Sequence, residues 1–152
     1  MSIKILVVSD SHGERKSLQR IIDREQPFKY LIHCGDGSND LGHIRLPQDA
    51  AVLSVAGNMD QSGTQERLIE TTLSDVMFLI CHGDQFGAHY DYERLLGEGL
   101  RRGVDIICCG HTHIPYQHNH PPLLFNPGPA DRGLYGIITL EQGKPDCAHK
   151  QL

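Results

Sequence analysis

The segment IKILVVSDSHG, residues 3–13, is an apolar run that stops abruptly at Ser9, Asp10, Ser11 and His12. Four later segments share this grammar. YLIHC (30–34) runs into GDGSND, AVLSVA (51–56) into GNMD, VMFLIC (76–81) into HGDQ, and VDIICC (104–109) into GHTH. Continuous apolar runs of this length predict strands buried on both faces, because a strand with one wet face alternates. In open α/β sheets, ligands collect beyond the carboxyl ends of the strands. Five runs ending in Asp, Asn or His therefore aim polar groups at one edge.

Between the runs the period changes. In ERKSLQRIIDRE (14–25), Leu18, Ile21 and Ile22 form a helical stripe. In YERLLGEGLRRG (92–103), Tyr92, Leu95, Leu96 and Leu100 are expected to do the same, with Arg101 and Arg102 in the last turn and Gly103 just past it. ERLIETTL (66–73), a turn at Ser74 and Asp75, and the run 76–81 predict a hairpin. After GHTH, the stretches PYQHN, LLF and LYGIITL and a short tail predict further strands, more antiparallel than those of the first half. Two packed sheets flanked by helices accommodate both halves.

The chain has 152 residues, 39 % hydrophobic and 22 % charged, which suits one globular domain spanning 1–152. The net charge of -5 argues against general nucleic-acid binding. No signal-peptide core and no long apolar span occurs, so a cytoplasmic protein without membrane contact is expected. Cys34, Cys81, Cys108, Cys109 and Cys147 are odd in number and mostly within apolar runs, which predicts buried thiols. Ten histidines are the compositional anomaly.

Taken one at a time, the strand-end motifs have ordinary readings. Asp10 or Ser11 suits a helix N-cap, GDG and GN suit turns, and His82 suits a satisfied core histidine. Together they form a donor set: Asp10, His12, Asp36, Asn58, His82, His111 and His113. Asp10 and His12 are two apart, as are His111 and His113, so each pair is expected to point one way along an extended strand end. Two carboxylates, four imidazoles and an amide exceed the roughly four ligands of one zinc. They suit two ions sharing a carboxylate, roughly 3.5–4 Å apart. Such a centre keeps net positive charge and attracts an anion, of which a phosphate ester is the obvious case. His33, His43, His89, His118, His120 and His149 are read as surface, loop or supporting residues. The nucleophile elbow, the P-loop and the dinucleotide fingerprint are all absent.

The ordered set D-x-H (10, 12), GD (35, 36), GN (57, 58), H (82) and GHTH (110–113) resembles the calcineurin-like metallophosphoesterases, and the length and spacing resemble their small YfcE-like phosphodiesterase branch. NPGPA (126–130) is similar to that branch's Asn-Pro-Gly-Ser segment, with Pro129 in place of Ser. The resemblance implies a four-layer αββα sandwich with two mixed β-sheets. It implies one metal site from Asp10, His12, Asp36 and His113, and a second from Asp36, Asn58, His82 and His111, bridged by Asp36. Asp36, Asn58 and His82 would serve catalysis. The cofactors would be two divalent ions; the ligands suit Mn, Fe, Co, Ni or Zn, and the resemblance favours Mn(II). The implied reaction is in-line attack on a small phosphate diester by a metal-bridging hydroxide. A phosphomonoesterase on the same site and a non-catalytic interaction scaffold of the same fold are the alternatives, and a homo-oligomer is open. Many relatives carry His after the Asn as a proton donor to the leaving group. Here that residue is Met59, as in the small branch. Asp60 would bind water or orient substrate, and loops 37–47, 60–66 and 83–92 would wall the substrate.

Overall fold

A computed structural model describes residues 2–60 and 65–152. Residues 61–64, part of the expected 60–66 wall, lie outside the described residues. Among the described residues, ten strands form two mixed five-stranded sheets. The first contains β1 (Ser2–Val8), β2 (Tyr30–His33), β3 (Ala51–Ser54), β9 (Leu134–Glu141) and β10 (Lys144–Gln151), in the order β10-β9-β1-β2-β3. The second contains β4 (Leu68–Leu73), β5 (Val76–Cys81), β6 (Ile106–Cys108), β7 (Tyr116–His118) and β8 (Leu123–Asn126), in the order β4-β5-β6-β8-β7. The strands that lead into the polar clusters pair in parallel, β1 with β2, β2 with β3 and β5 with β6. The added strands pair antiparallel with their neighbours, except that β8 also lies parallel to β6. The expected short tail is an eight-residue strand, β10, registered along the whole of β9.

Strand alternation sorts the apolar runs into three cores. Ile5, Val7 and Ile32 of one sheet meet Phe78, Ile80, Ile106 and Phe125 of the other. Their neighbours Leu6, Val8 and Leu31 face away, onto Leu18, Ile21 and Ile22 of α1 (Arg15–Glu25). Leu79, Ile107 and Leu124 face away from the second sheet, onto Leu95 of α2 (Glu93–Arg102). The order of layers is therefore α1, sheet, sheet, α2, the four-layer sandwich. Both faces of each central strand are dry, which is why these runs show no polar alternation. The sheets approach closely: a Cβ on Gly136 of β9 would collide with the ring of Phe125.

Helix α2 departs from the expected stripe. Leu95 is buried but Leu100 is 70 % exposed. The contact falls on Gly99, where a Cβ would lie 3.0 Å from Ile107 Cγ1. A glycine lets the helix sit close to β6, which rotates Leu100 to the solvent side. Gly103 takes the left-handed conformation at the end of α2 as expected, with φ 71°. At the start of α1, Glu14 stands at the cap position without a side-chain cap bond, so neither Asp10 nor Ser11 caps the helix.

Candidate metal centre

All seven sequence-identified donors lie just beyond the carboxyl ends of β1, β2, β3, β5 and β6. They do not get there by extended alternation. Asp10 (φ 55°), His12 (46°), Asp36 (58°), His111 (74°) and His113 (62°) are all left-handed. Asp and His enter this region more readily than most residues, yet each entry costs about 1–3 kcal/mol and persists only where the surroundings enforce it. The i, i+2 pairs thus converge through tight turns. The turns interlock through backbone bonds: Asp10 N–H donates to Gly35 O (2.9 Å), His12 N–H to Asp36 O (3.1 Å) and Gly110 N–H to His82 O (3.0 Å).

Glycines make the interlocking sterically feasible. A Cβ on Gly57 would collide with Asp36 Oδ1, and one on Gly110 would strike Ser9 Oγ and Asp10 Oδ2. Each glycine immediately precedes a donor, Asn58 or His111.

The two carboxylates are anchored alike. Asp10 Oδ2 accepts from Ser9 Oγ (2.6 Å) and His111 N–H (3.1 Å). Asp10 Oδ1 is buried and has no hydrogen-bond partner among the described residues. Three imidazole nitrogens surround that oxygen: Nε2 of His113 at 3.2 Å, of His12 at 3.8 Å and of His82 at 3.9 Å. Asp36 Oδ1 accepts from Met59 N–H at 2.8 Å. Asp36 Oδ2 faces His82 Nε2 at 3.1 Å and His12 Nε2 at 3.7 Å. An orphaned buried oxygen among nitrogen lone pairs is a coordination sphere in need of a centre. Ligand atoms of Asp10, His12, Asp36 and His113 all lie within 4.8 Å of one another. His82 and His111 form an adjoining group, with His111 Nδ1 3.2 Å from His82 Nε2. Asn58 is exposed and lines the same cleft of about 420 Å³, with His12, Asp36, His111 and His113. The donor set fits divalent cations.

Protons on the far side of the rings are held in place. His12 Nδ1 lies 3.1 Å from Asp131 Oδ2, and His82 Nδ1 lies 2.8 Å from Cys34 O. Each far nitrogen then carries the proton, and Nε2 is left as a ligand. Burial pushes the His82 imidazolium down, but its bond to Asp36 and the charge of Asp10 outweigh this and raise it. Burial pushes the Asp36 carboxyl up, but His82 and the Met59 N–H outweigh this and hold it at about 2. Burial, then the charge of His82, push His111 down. Both shifts favour a hydrogen-bonded His82–Asp36 pair, with which metal binding would compete.

Some supporting residues escaped the sequence. Asp60 does not face substrate: its carboxylate accepts from the N–H groups of Asp36 (2.8 Å), Gly37 (2.9 Å) and Gly57 (2.8 Å), and from Ser38 Oγ. It clamps the loops carrying Asp36 and Asn58 together. Asp131, in NPGPAD, gave no signal apart from its nearness to a recognised segment. Asp40 accepts from Ser11 Oγ (2.7 Å) and Gly13 N–H (2.9 Å), bracing the Asp10–His12 turn. His33 is fully buried beneath it, as a supporting residue. His89, read as surface or support, lines the cleft beside Met59, its ring 5.9 Å from that of His111. Segment 83–92 therefore does wall the cleft, whereas 37–47 does not line it. Cys34, Cys81, Cys108 and Cys109 are buried free thiols; burial pushes the Cys81 thiol up to about 12, which keeps it inert.

The description "Calcineurin-like phosphoesterase superfamily domain" fits residues 3–141 of the chain. "Probable metallophosphoesterase YsnB" of Bacillus subtilis is 33 % identical over 147 residues, covering 91 % of this chain and 85 % of that protein. A solved structure of an archaeal phosphodiesterase superposes with a TM-score of 0.75 at 22 % identity, covering 99 % of this chain and 100 % of the other. A single-mutant Vps29 of Entamoeba histolytica superposes with a TM-score of 0.72 at 20 % identity, covering 99 % of each chain. At these identities the two structures speak to the fold alone.

Proposed function

Because the chain belongs to the calcineurin-like phosphoesterase superfamily, we propose that it is a dinuclear metal-dependent phosphodiesterase acting on a small phosphate ester in the cytoplasm. The observation that carries this reading is Asp36 Oδ2, which faces both His82 Nε2 at 3.1 Å and His12 Nε2 at 3.7 Å. That oxygen faces one imidazole of each proposed group, and the Met59 N–H holds the other oxygen, which suits Asp36 to be shared between two cations. Asp10, His12, Asp36 and His113 would hold one cation, and Asp36, Asn58, His82 and His111 the other. Mn(II) is the proposed native metal, from a donor set that also suits Fe, Co, Ni or Zn. Bound cations supply Lewis acidity to phosphoryl oxygens and ionise water at neutral pH.

The chain's own residues do the rest. Two carboxylates against four neutral imidazoles leave the loaded centre positive, so it attracts a phosphate anion. Asp131 and the Cys34 carbonyl orient two rings and hold their protons away from the reacting face. The Met59 backbone aims Asp36, while its side chain, 71 % exposed, has no proton to give a leaving oxygen. The site is therefore suited to esters whose leaving groups depart as stable anions. The choice of a diester over a monoester rests on the motif spacing, which resembles the small phosphodiesterase branch.

The test is metal analysis with turnover of bis(p-nitrophenyl) phosphate and p-nitrophenyl phosphate. Two Mn(II) per chain, preference for the diester, and loss of metal and nearly all turnover in Asp36→Ala are expected. Full turnover by Asp36→Ala would sink the model. Stoichiometric metal without hydrolysis of either ester would favour the scaffold reading.

A further inference from the structure

The cleft continues past the histidines. His89 and Thr112 line it and also line an adjoining groove of about 290 Å³ with Tyr90, Tyr92, Ile114 and Tyr116. Tyr90 is 88 % exposed, Ile114 66 % and Tyr116 40 %. Large side chains gathered in water beside a polar cleft mark a binding surface rather than ordinary scatter. The Tyr92 and Tyr116 rings stack on each other at 4.7 Å and 15°, so the pair, one wall of the groove, offers it an outer aromatic face on the exposed Tyr116.

That wall is fastened to the candidate metal centre. Asn126 is fully buried, and its Nδ2 lies within bonding distance of Tyr92 Oη (3.1 Å), Gly110 O (3.0 Å) and Thr112 Oγ1 (3.0 Å). Gly110 and Thr112 belong to the turn that carries His111 and His113. The distance from wall to phosphate site is thus set by a buried hydrogen-bond network. Charge narrows the occupant. No Lys or Arg lines the groove among the described residues, and its one carboxylate, Asp91, already accepts from Glu93 N–H at 3.0 Å. A second phosphate has no counter-charge here, whereas a neutral planar group finds both apolar area and an aromatic face.

We infer that this groove is the subsite for the non-reacting part of the substrate, and that this part is a nucleoside with its base against the tyrosine wall. The inference rests on the phosphodiesterase reading of the adjoining centre. Stacking is indifferent to base identity, so the subsite selects a nucleoside and not one particular base.

Calorimetric titration of the Mn(II)-loaded protein with adenosine 5′-monophosphate, ribose 5-phosphate and hexyl phosphate tests it without turnover. The nucleotide should bind about 5- to 100-fold more tightly than ribose 5-phosphate, from the usual strength of base stacking. Tyr116→Ala should remove most of that ratio and Tyr116→Phe should keep it. Tyr90→Ala, at a side chain almost wholly in water, should lower it with little risk to folding. Equal binding of nucleotide and sugar phosphate overturns the subsite, as does a ratio untouched by Tyr116→Ala and Tyr90→Ala. Tighter binding of hexyl phosphate than of the nucleotide also overturns it, in favour of an aliphatic group. A nucleotide-over-sugar-phosphate ratio that Tyr116→Ala removes, in a protein that hydrolyses no ester, supports the subsite and sinks the phosphodiesterase reading alone.

Discussion

Met59 presents its backbone to the site and its side chain to water. Replacing it by His keeps the N–H that anchors Asp36 and adds a proton donor at the cleft wall. A positioned general acid typically contributes 10²–10⁴-fold. Met59→His should raise kcat/KM on alkyl diesters by about 10²-fold, the low end of that range, and change aryl diesters little. A steady-state comparison of the two ester classes checks this; equal gains on both would contradict the role. At Asp131 the expectation is opposite in sign. Its carboxylate accepts a hydrogen bond from His12 Nδ1 at 3.1 Å, so Asp131→Ala should weaken metal binding about 10- to 100-fold by titration with Mn(II). Unchanged affinity would mean that His12 needs no such orientation.

At the scale of elements, the loop after β3 is held by Asp60, which binds one N–H of its own loop and two of the loop after β2. Asp36, Gly57 and Gly37 are buried or half-buried, so water cannot fully replace the carboxylate. Hydrogen bonds to a charged group contribute about 1.5–3 kcal/mol each, and losing several at once is rarely additive. Asp60→Ala should destabilise the protein by about 3 kcal/mol in urea denaturation and reduce metal binding. A stable Asp60→Ala protein with normal metal content would show that the two loops hold their places without the clamp. Gly99 works at the same scale: the sequence placed Leu100 on the buried face of α2, but close approach to Ile107 moved the contact one residue back.

At the scale of the whole molecule, the site edge rests on the buried His33. Its Nδ1 accepts from Gly35 N–H (3.1 Å), and its Nε2 meets Ser11 Oγ (3.0 Å), which donates to Asp40 (2.7 Å). That arrangement needs a neutral ring. Burial pushes the imidazole down from 6.5 to about 4. The unfolded chain therefore takes up this proton before the folded one. The His33 contribution is present in full above pH 6.5 and is lost as pH falls through 4. By pH 5 the loss is about 2 kcal/mol. Metal-free wild type should lose about that much more stability than His33→Gln between pH 7 and pH 5, by denaturant midpoint. Equal losses would contradict a buried neutral ring. No described helix is long and apolar enough to cross a membrane.

The sequence by itself determined the two buried sheets and assembled the seven donors. Apolar runs without alternation report dry strands locally, except at β3, an edge strand exposed or half-buried throughout, and the donors follow those runs directly along the chain. It also located Gly103 correctly, because helix-cap preferences belong to single residues. Only the tertiary structure decided which nitrogen of each histidine faces the centre, since that depends on Cys34 for His82 and on Asp131, 119 residues away, for His12. It alone turned Asp60 inward and brought His89 to the cleft. It also stacked Tyr92 on Tyr116 and tied Tyr92 to Asn126, 34 residues away. Acidic, histidine and tyrosine residues in loops carry no periodicity, so their roles arise only from partners that distant chain segments bring to them.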